Sequence, residues 1–83
     1  MSIIYNETLG NAKITYTAFC EKDEETNQLT FGVTVKDNLT ESEVTIRNFT
    51  GIKERVIDFI ETLIRNNVSP ESVKEIAEDY LIA

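Results

Sequence analysis

Residues 44–64 read VTIRNFTGIKERVIDFIETLI, and inside this stretch the spacing of the apolar side chains changes period. Up to Arg47, Val44 and Ile46 alternate with Glu43, Thr45 and Arg47, the period of two that turns one face of a strand inward. From Thr50 onward Ile52, Val56, Phe59, Ile60, Leu63 and Ile64 recur at helical spacing, with Glu54, Asp58, Glu61 and Arg65 opposite. The spacing predicts a helix over about 51–65 with Thr50 as its N-cap. At about 100° per residue its apolar positions, Ile57 included, cover about 160°, wider than the ~100° stripe that one packing partner needs. Such a helix touches two surfaces.

Toward the C-terminus the stretch NNVSPESV, residues 66–73, marks a turn between two helices. Asn66-Asn67 suit the left-handed geometry that closes a helix; Ser69 is then an N-cap, and Pro70 takes the first helical position, where its missing N–H costs nothing. Val68 and Val73 are spaced as a hydrophobic staple, and Glu71 lies in the first turn, where the helix dipole favours an anion. A second helix follows over about 70–81 with Val73, Ile76, Ala77, Tyr80 and Leu81 on one face. The connection is short enough to make an αα-hairpin.

Toward the N-terminus the alternation persists. AKITYTAFCE (12–21) places Ala12, Ile14, Tyr16, Ala18 and Cys20 on one side, with Phe19 breaking the polar pattern of the other. QLTFGVTVK (28–36) places Leu29, Phe31, Val33 and Val35 together. Strands are therefore expected over about 12–21, 28–36 and 43–49, joined by polar hairpin loops at KDEETN and DNLTES. Residues 2–6 are apolar enough for an edge strand joined through Gly10-Asn11, but short enough to be none, so both readings stand. The expected fold class is α+β: one domain over 1–83, a three- or four-stranded antiparallel meander with the αα-hairpin across one face and a Thr-rich opposite face in solvent.

Composition bounds the chemistry. At 83 residues the chain has a core one layer deep, and folding hides about 60–65% of the unfolded surface. Fifteen acidic and eight basic side chains give a formal charge of −7, which disfavours direct binding to nucleic acid or an anionic membrane. The start MSIIYNETLG has no basic, apolar leader, Cys20 is the single cysteine, and no run approaches the ~18 apolar residues of a membrane span. A cytoplasmic location is expected.

Histidine is absent, and with it the commonest general base and metal ligand. Cys20 falls on an inward face and reads as a small buried hydrophobe. Gly10, Gly32 and Gly51 are too scattered to cradle a phosphate. Asp23, Glu25 and Asn27 occupy alternating positions of a calcium-loop pattern, but Gln28 stands where its glycine belongs and Thr34 where its bidentate Glu belongs. No catalytic, cofactor or metal residues are assigned. Phe19 alone stands out on the Thr-rich face, where an exposed aromatic would be a contact point for another chain.

The C-terminal half, ERVIDFIETLIRNNVSPESVKEIAEDYL, resembles a family of short proteins of unknown function from anaerobic Gram-positive bacteria. The likeness rests on the helix over 54–65, the Ser69-Pro70 turn and the closing Glu78-Asp79-Tyr80-Leu81, with Phe31-Gly32-Val33 as a looser match in the strands. Gly51-Ile52-Lys53 departs from the charged step with which that family opens its first helix. The resemblance implies the same α+β fold and no activity.

Two functions fit these features. In one, the chain is a small non-enzymatic interaction or regulatory module, partnered by another protein or by a second copy of itself, with Phe19, Ile57 and Ile64 as contact residues. In the other it is an acidic mimic of nucleic acid, of the kind phages encode, presenting Asp23, Glu24, Glu25, Glu54, Asp58 and Glu61 to the basic groove of a nucleic-acid-binding protein.

Overall fold

The computed structural model describes residues 2–9 and 13–82, the side chains of residues 81 and 82 excepted. The Gly10-Asn11 connection, Ala12 as an inward strand residue and Leu81 on the packed helix face lie outside the described residues. Six elements follow in order: β1 (Ser2–Leu9), β2 (Ile14–Lys22), β3 (Leu29–Asp37), β4 (Glu43–Thr50), α1 (Lys53–Arg65) and α2 (Pro70–Ile82). The strands form one antiparallel sheet in the order β1-β2-β3-β4. The open question over residues 2–6 is thus resolved in favour of a strand, and one that runs to Leu9.

Register follows the alternation. Tyr16 opposes Val35, Ala18 opposes Val33 and Cys20 opposes Phe31, while Val33 and Val35 meet Ile46 and Val44 on the other side. These side chains share the face on which the helices lie, so a single stripe per strand supplies the floor of the core. The hairpin loops close through their own polar side chains. The Asp23 carboxylate accepts from the Glu25 N–H at 2.9 Å, Asp37 accepts from Leu39 and Thr40, and Asn27 takes the left-handed backbone at φ 63°. The segment tested against a calcium loop is this solvated hairpin.

One irregularity in β4 changes what the strand buries. Phe31 pairs with Thr50 but Val33 with Ile46, so residues 47–49 bulge opposite Gly32 alone, with Asn48 at φ 53°. Unbroken alternation from Val44 and Ile46 would turn Phe49 to solvent. The bulge instead swings it into the core, where it is buried and stacks on Phe59 with ring centroids 4.4 Å apart. Tyr80 of α2 closes the group at 5.2 Å from Phe59, and its hydroxyl donates to Asp58 at 2.9 Å.

The first helix begins two residues later than its sequence suggests. Ile52 occupies the N-cap position with no side-chain cap, and the Thr50 hydroxyl accepts from the Ile52 N–H instead of capping the helix. Leaving the sheet and climbing to the helix layer consumes Gly51 and Ile52. At the other end the expected closure holds. Asn67 is left-handed at φ 50°, its N–H donates to the Ile64 carbonyl and that of Val68 to the Leu63 carbonyl, the pairing of a Schellman motif. Pro70 opens α2, and Val68 and Val73 are both buried.

The α1–α2 turn is fastened to the sheet by one buried contact: the Tyr16 hydroxyl donates to the Val68 carbonyl at 2.7 Å. Burial raises the Tyr16 pKa above 10.0, which keeps the hydroxyl a donor at any physiological pH. Tyr16→Phe removes the donor and leaves a carbonyl without its partner. We expect a loss of about 1–3 kcal/mol, seen as a melting point lowered by about 4–8 °C per kcal/mol for a domain of this size. An unchanged thermal transition would show the contact to be dispensable.

The helices do not cover the sheet evenly. α1 rests on β2, β3 and β4, and α2 on β4 and β3, while neither packs broadly on β1. Val56, Phe59, Ile60 and Leu63 of α1 are buried. At about 100° per residue Phe59 and Asp58 turn toward Tyr80 of α2, so Ile57, Glu61 and Ile64 turn the other way, over β1. The wide apolar arc of α1 therefore meets the sheet with its middle and α2 with one side, and leaves its other side half-covered.

Candidate functional site

The sheet face away from the helices is built from the alternate residues of the same strands. Threonines dominate it and pair across strands: Thr8 with Thr15 at 2.9 Å, Thr34 with Thr45 at 3.0 Å, and Asn6 donating to Thr17 at 3.0 Å. These contacts order the surface in rows and leave it polar and flat.

Phe19 interrupts that surface in a way the sequence did not foretell. It lies on the open face as expected, but it is only 2% exposed. The reason is its cross-strand partner, Gly32. A Cβ at position 32 would sit 2.6 Å from the Phe19 ring, so the missing side chain is the space in which the ring lies down. The same Cβ would also collide with the Ile46 carbonyl, which the β4 bulge brings over the glycine. The expectation of Phe19 as an exposed contact residue is corrected: it is the floor of the surface, and what protrudes is Ile3, 62% exposed, opposite Phe19 on β1.

Around this floor lies a shallow depression of about 450 Å³ bounded by Ile3, Thr34, Glu43, Thr45 and Arg47. A second, of about 280 Å³, adjoins it and is lined by Glu21, Lys22, Asp23, Thr30, Arg47 and Asn48. Between them stands an ion pair. The Arg47 guanidinium grips Glu21 with both arms, Nε to Oε1 at 3.0 Å and one terminal nitrogen to Oε2. Hydrogen bonding to Arg47 lowers the Glu21 pKa below the ordinary carboxylate value and, from the other side, raises that of Arg47. Both side chains sit at the bulge and are reachable from solvent, so the pair can exchange one partner for a group on another molecule.

The other expected contact residues lie elsewhere. Ile57 and Ile64 are half-buried on α1, in the layer opposite Phe19, and the three are not brought together. The six acidic residues divide in two. Glu54, Asp58 and Glu61 line one depression of about 320 Å³ with Lys53 and Ile57, whereas Asp23, Glu24 and Glu25 belong to the β2–β3 loop. Ile3 and Arg47 were missed: the first fell in the segment whose structure was open, the second read as an ordinary outward strand residue. Cys20 is free and half-buried on the inner face. Among the described residues no group of three or more carboxylates or cysteines is placed to hold a metal ion, and no helix is long and apolar enough to cross a membrane.

The chain belongs to a family catalogued as "Family of unknown function (DUF6514)", whose model matches residues 2–83. The match takes in the strands as well as the helical hairpin and is not confined to the C-terminal half. No curated protein matches the chain, and no solved structure does.

Proposed function

We propose that this protein is a small non-enzymatic interaction module that receives a protein partner on the open face of its sheet. The observation that carries the reading is the depression floored by Phe19, rimmed by protruding Ile3 and by the Arg47–Glu21 pair. An apolar centre with an adaptable charge pair at its edge is the usual build of a protein contact surface. The partner's contribution is an apolar side chain over Phe19 and a carboxylate competing for Arg47. A cytoplasmic setting is consistent with this reading, which needs no cofactor and no catalytic group.

A photo-crosslinking residue at Thr45, on the open face, tests it against one at Glu75, on the exposed side of α2. In host cells the Thr45 probe should give a discrete adduct with one protein, lost on Arg47→Glu. Adducts from Glu75 alone, or none from Thr45, would overturn the proposal. The mimic of nucleic acid is the second reading, favoured by the grouping of Glu54, Asp58 and Glu61 along α1. A discrete adduct with a nucleic-acid-binding protein from a third probe at Lys53, beside those carboxylates, weakened by salt, would support it instead.

A further inference from the structure

The two edges of the sheet are finished differently. β4 is interrupted by the bulge at 47–49, carries Glu43 and Arg47, and lies under α2, all devices that discourage another strand from adding to an edge. β1 has few of them. Its eight residues, SIIYNETL, contain no lysine and no proline and a single charge, Glu7. A bulge near Ile4 is its one irregularity. Its apolar side chains are left half-finished on both sheet faces: Ile3 protrudes from the open face, and Ile4, Tyr5 and Leu9 are only partly buried beneath the uncovered flank of α1 that carries Ile57 and Ile64.

We propose that β1 is a dimerisation edge, pairing antiparallel with β1 of a second copy about a two-fold axis at Asn6, so that two four-stranded sheets become one of eight. An antiparallel strand edge is self-complementary, as a two-fold interface requires. Charge selects the register. A two-fold at Glu7 would set two carboxylates directly opposite, about 5 Å apart. A two-fold at Asn6 separates them and sets each Glu7 against the partner's tyrosine at position 5, a hydroxyl donor. Within one copy Tyr5 already reaches toward Glu7 at 3.4 Å, so the two groups are at matching height on the inner face. The same axis brings together the two α1 flanks, covering the half-buried Ile57 and Ile64 that neither the sheet nor α2 covers.

The strength of the contact follows from its size. Eight residues at about 3.3 Å each make an edge about 26 Å long. With a smallest molecular extent of 18 Å, the flank offers about 470 Å² per copy, hence about 940 Å² in total, below the ~1,200–2,000 Å² of stable complexes. The dimer is therefore of the weak, transient class. Each copy carries −7, so repulsion opposes association and salt relieves it. The dimer and the partner on the open face share the β1 edge through Ile3, but Asn6→Lys addresses the first and leaves Ile3, Arg47 and Phe19 in place for the second.

Sedimentation equilibrium of the full chain from about 1 µM to 1 mM should show a monomer–dimer equilibrium that tightens severalfold between about 0.05 and 0.5 M salt. Asn6→Lys sets two ammonium groups across the axis and should weaken it at least tenfold, with the thermal transition of the monomer retained. In a Cys20→Ser background, Asn6→Cys should oxidise to a linked dimer, because residues facing across a strand pair have Cα atoms about 4.5–5.5 Å apart, and Thr8→Cys should not. A monomer at all concentrations would overturn the proposal. So would a dimer indifferent to Asn6→Lys, or linkage through Thr8→Cys in preference to Asn6→Cys.

Discussion

Gly32→Ala should cost at least about 3 kcal/mol, the largest effect expected from any single methyl group in this molecule. The added carbon would meet two things at once, the Phe19 ring at 2.6 Å and the Ile46 carbonyl. The ring could swing away and expose itself. The carbonyl belongs to backbone, and moving it means undoing the bulge that turns Phe49 into the core. A domain of 83 residues has about 4–12 kcal/mol of stability in all, so the variant should melt at least about 12 °C lower or fail to fold cooperatively. Phe19→Ala in the Gly32→Ala background separates the two collisions. It should recover only part of the loss, since the carbonyl stays where it is. Full recovery would show that the ring alone demands a glycine, and a wild-type melting point for Gly32→Ala would remove the close approach altogether.

Phe59→Ala is expected to cost about 3–5 kcal/mol, as large buried aromatics do when truncated. Phe59 has no exposed surface and packs against both Phe49 and Tyr80, which also touch each other, in a ring cluster that joins β4, α1 and α2. Its removal should therefore loosen α2 as well as the core. Hydrogen exchange should show α2 amides losing protection before those of β2 and β3. Phe59→Leu retains most of the volume and should cost well under half as much. Equal losses for the two variants would mean that ring stacking, and not filled space, holds the junction.

How much of this could be read from the chain depends on which contacts a feature needs. Strand and helix positions were legible because each is written in the period of its own side chains: Tyr16, Ala18 and Cys20 repeat every second residue, and Val56, Phe59, Ile60 and Leu63 follow the helical turn. The α1–α2 turn was legible because Asn67, Ser69 and Pro70 specify backbone geometry locally. What stayed hidden depended on a neighbour from another strand. Phe19 looked exposed because nothing in its own segment says that Gly32 lies across from it. The bulge at Asn48 could not be told from continuing alternation, although an Asn able to accept left-handed backbone stands there. β1 was left open because its apolar run over residues 2–6 is short, and the pairing with β2 that extends it to Leu9 is not written in the segment itself. Arg47 gained its significance only when β3 and the bulge placed it beside Glu21, 26 residues away.

The Tyr16–Val68 hydrogen bond joins points 52 residues apart, so it can close only once both β2 and the α1–α2 turn have been made. Each hairpin of the meander closes between neighbours in sequence, but the helical pair cannot seat until β2 has presented its tyrosine and the chain has run past its second asparagine turn. On the ribosome the strands emerge before the helices that bury their inner face. A chain stopped short of position 68 would keep α1 but lack α2 and the carbonyl that holds the Tyr16 hydroxyl.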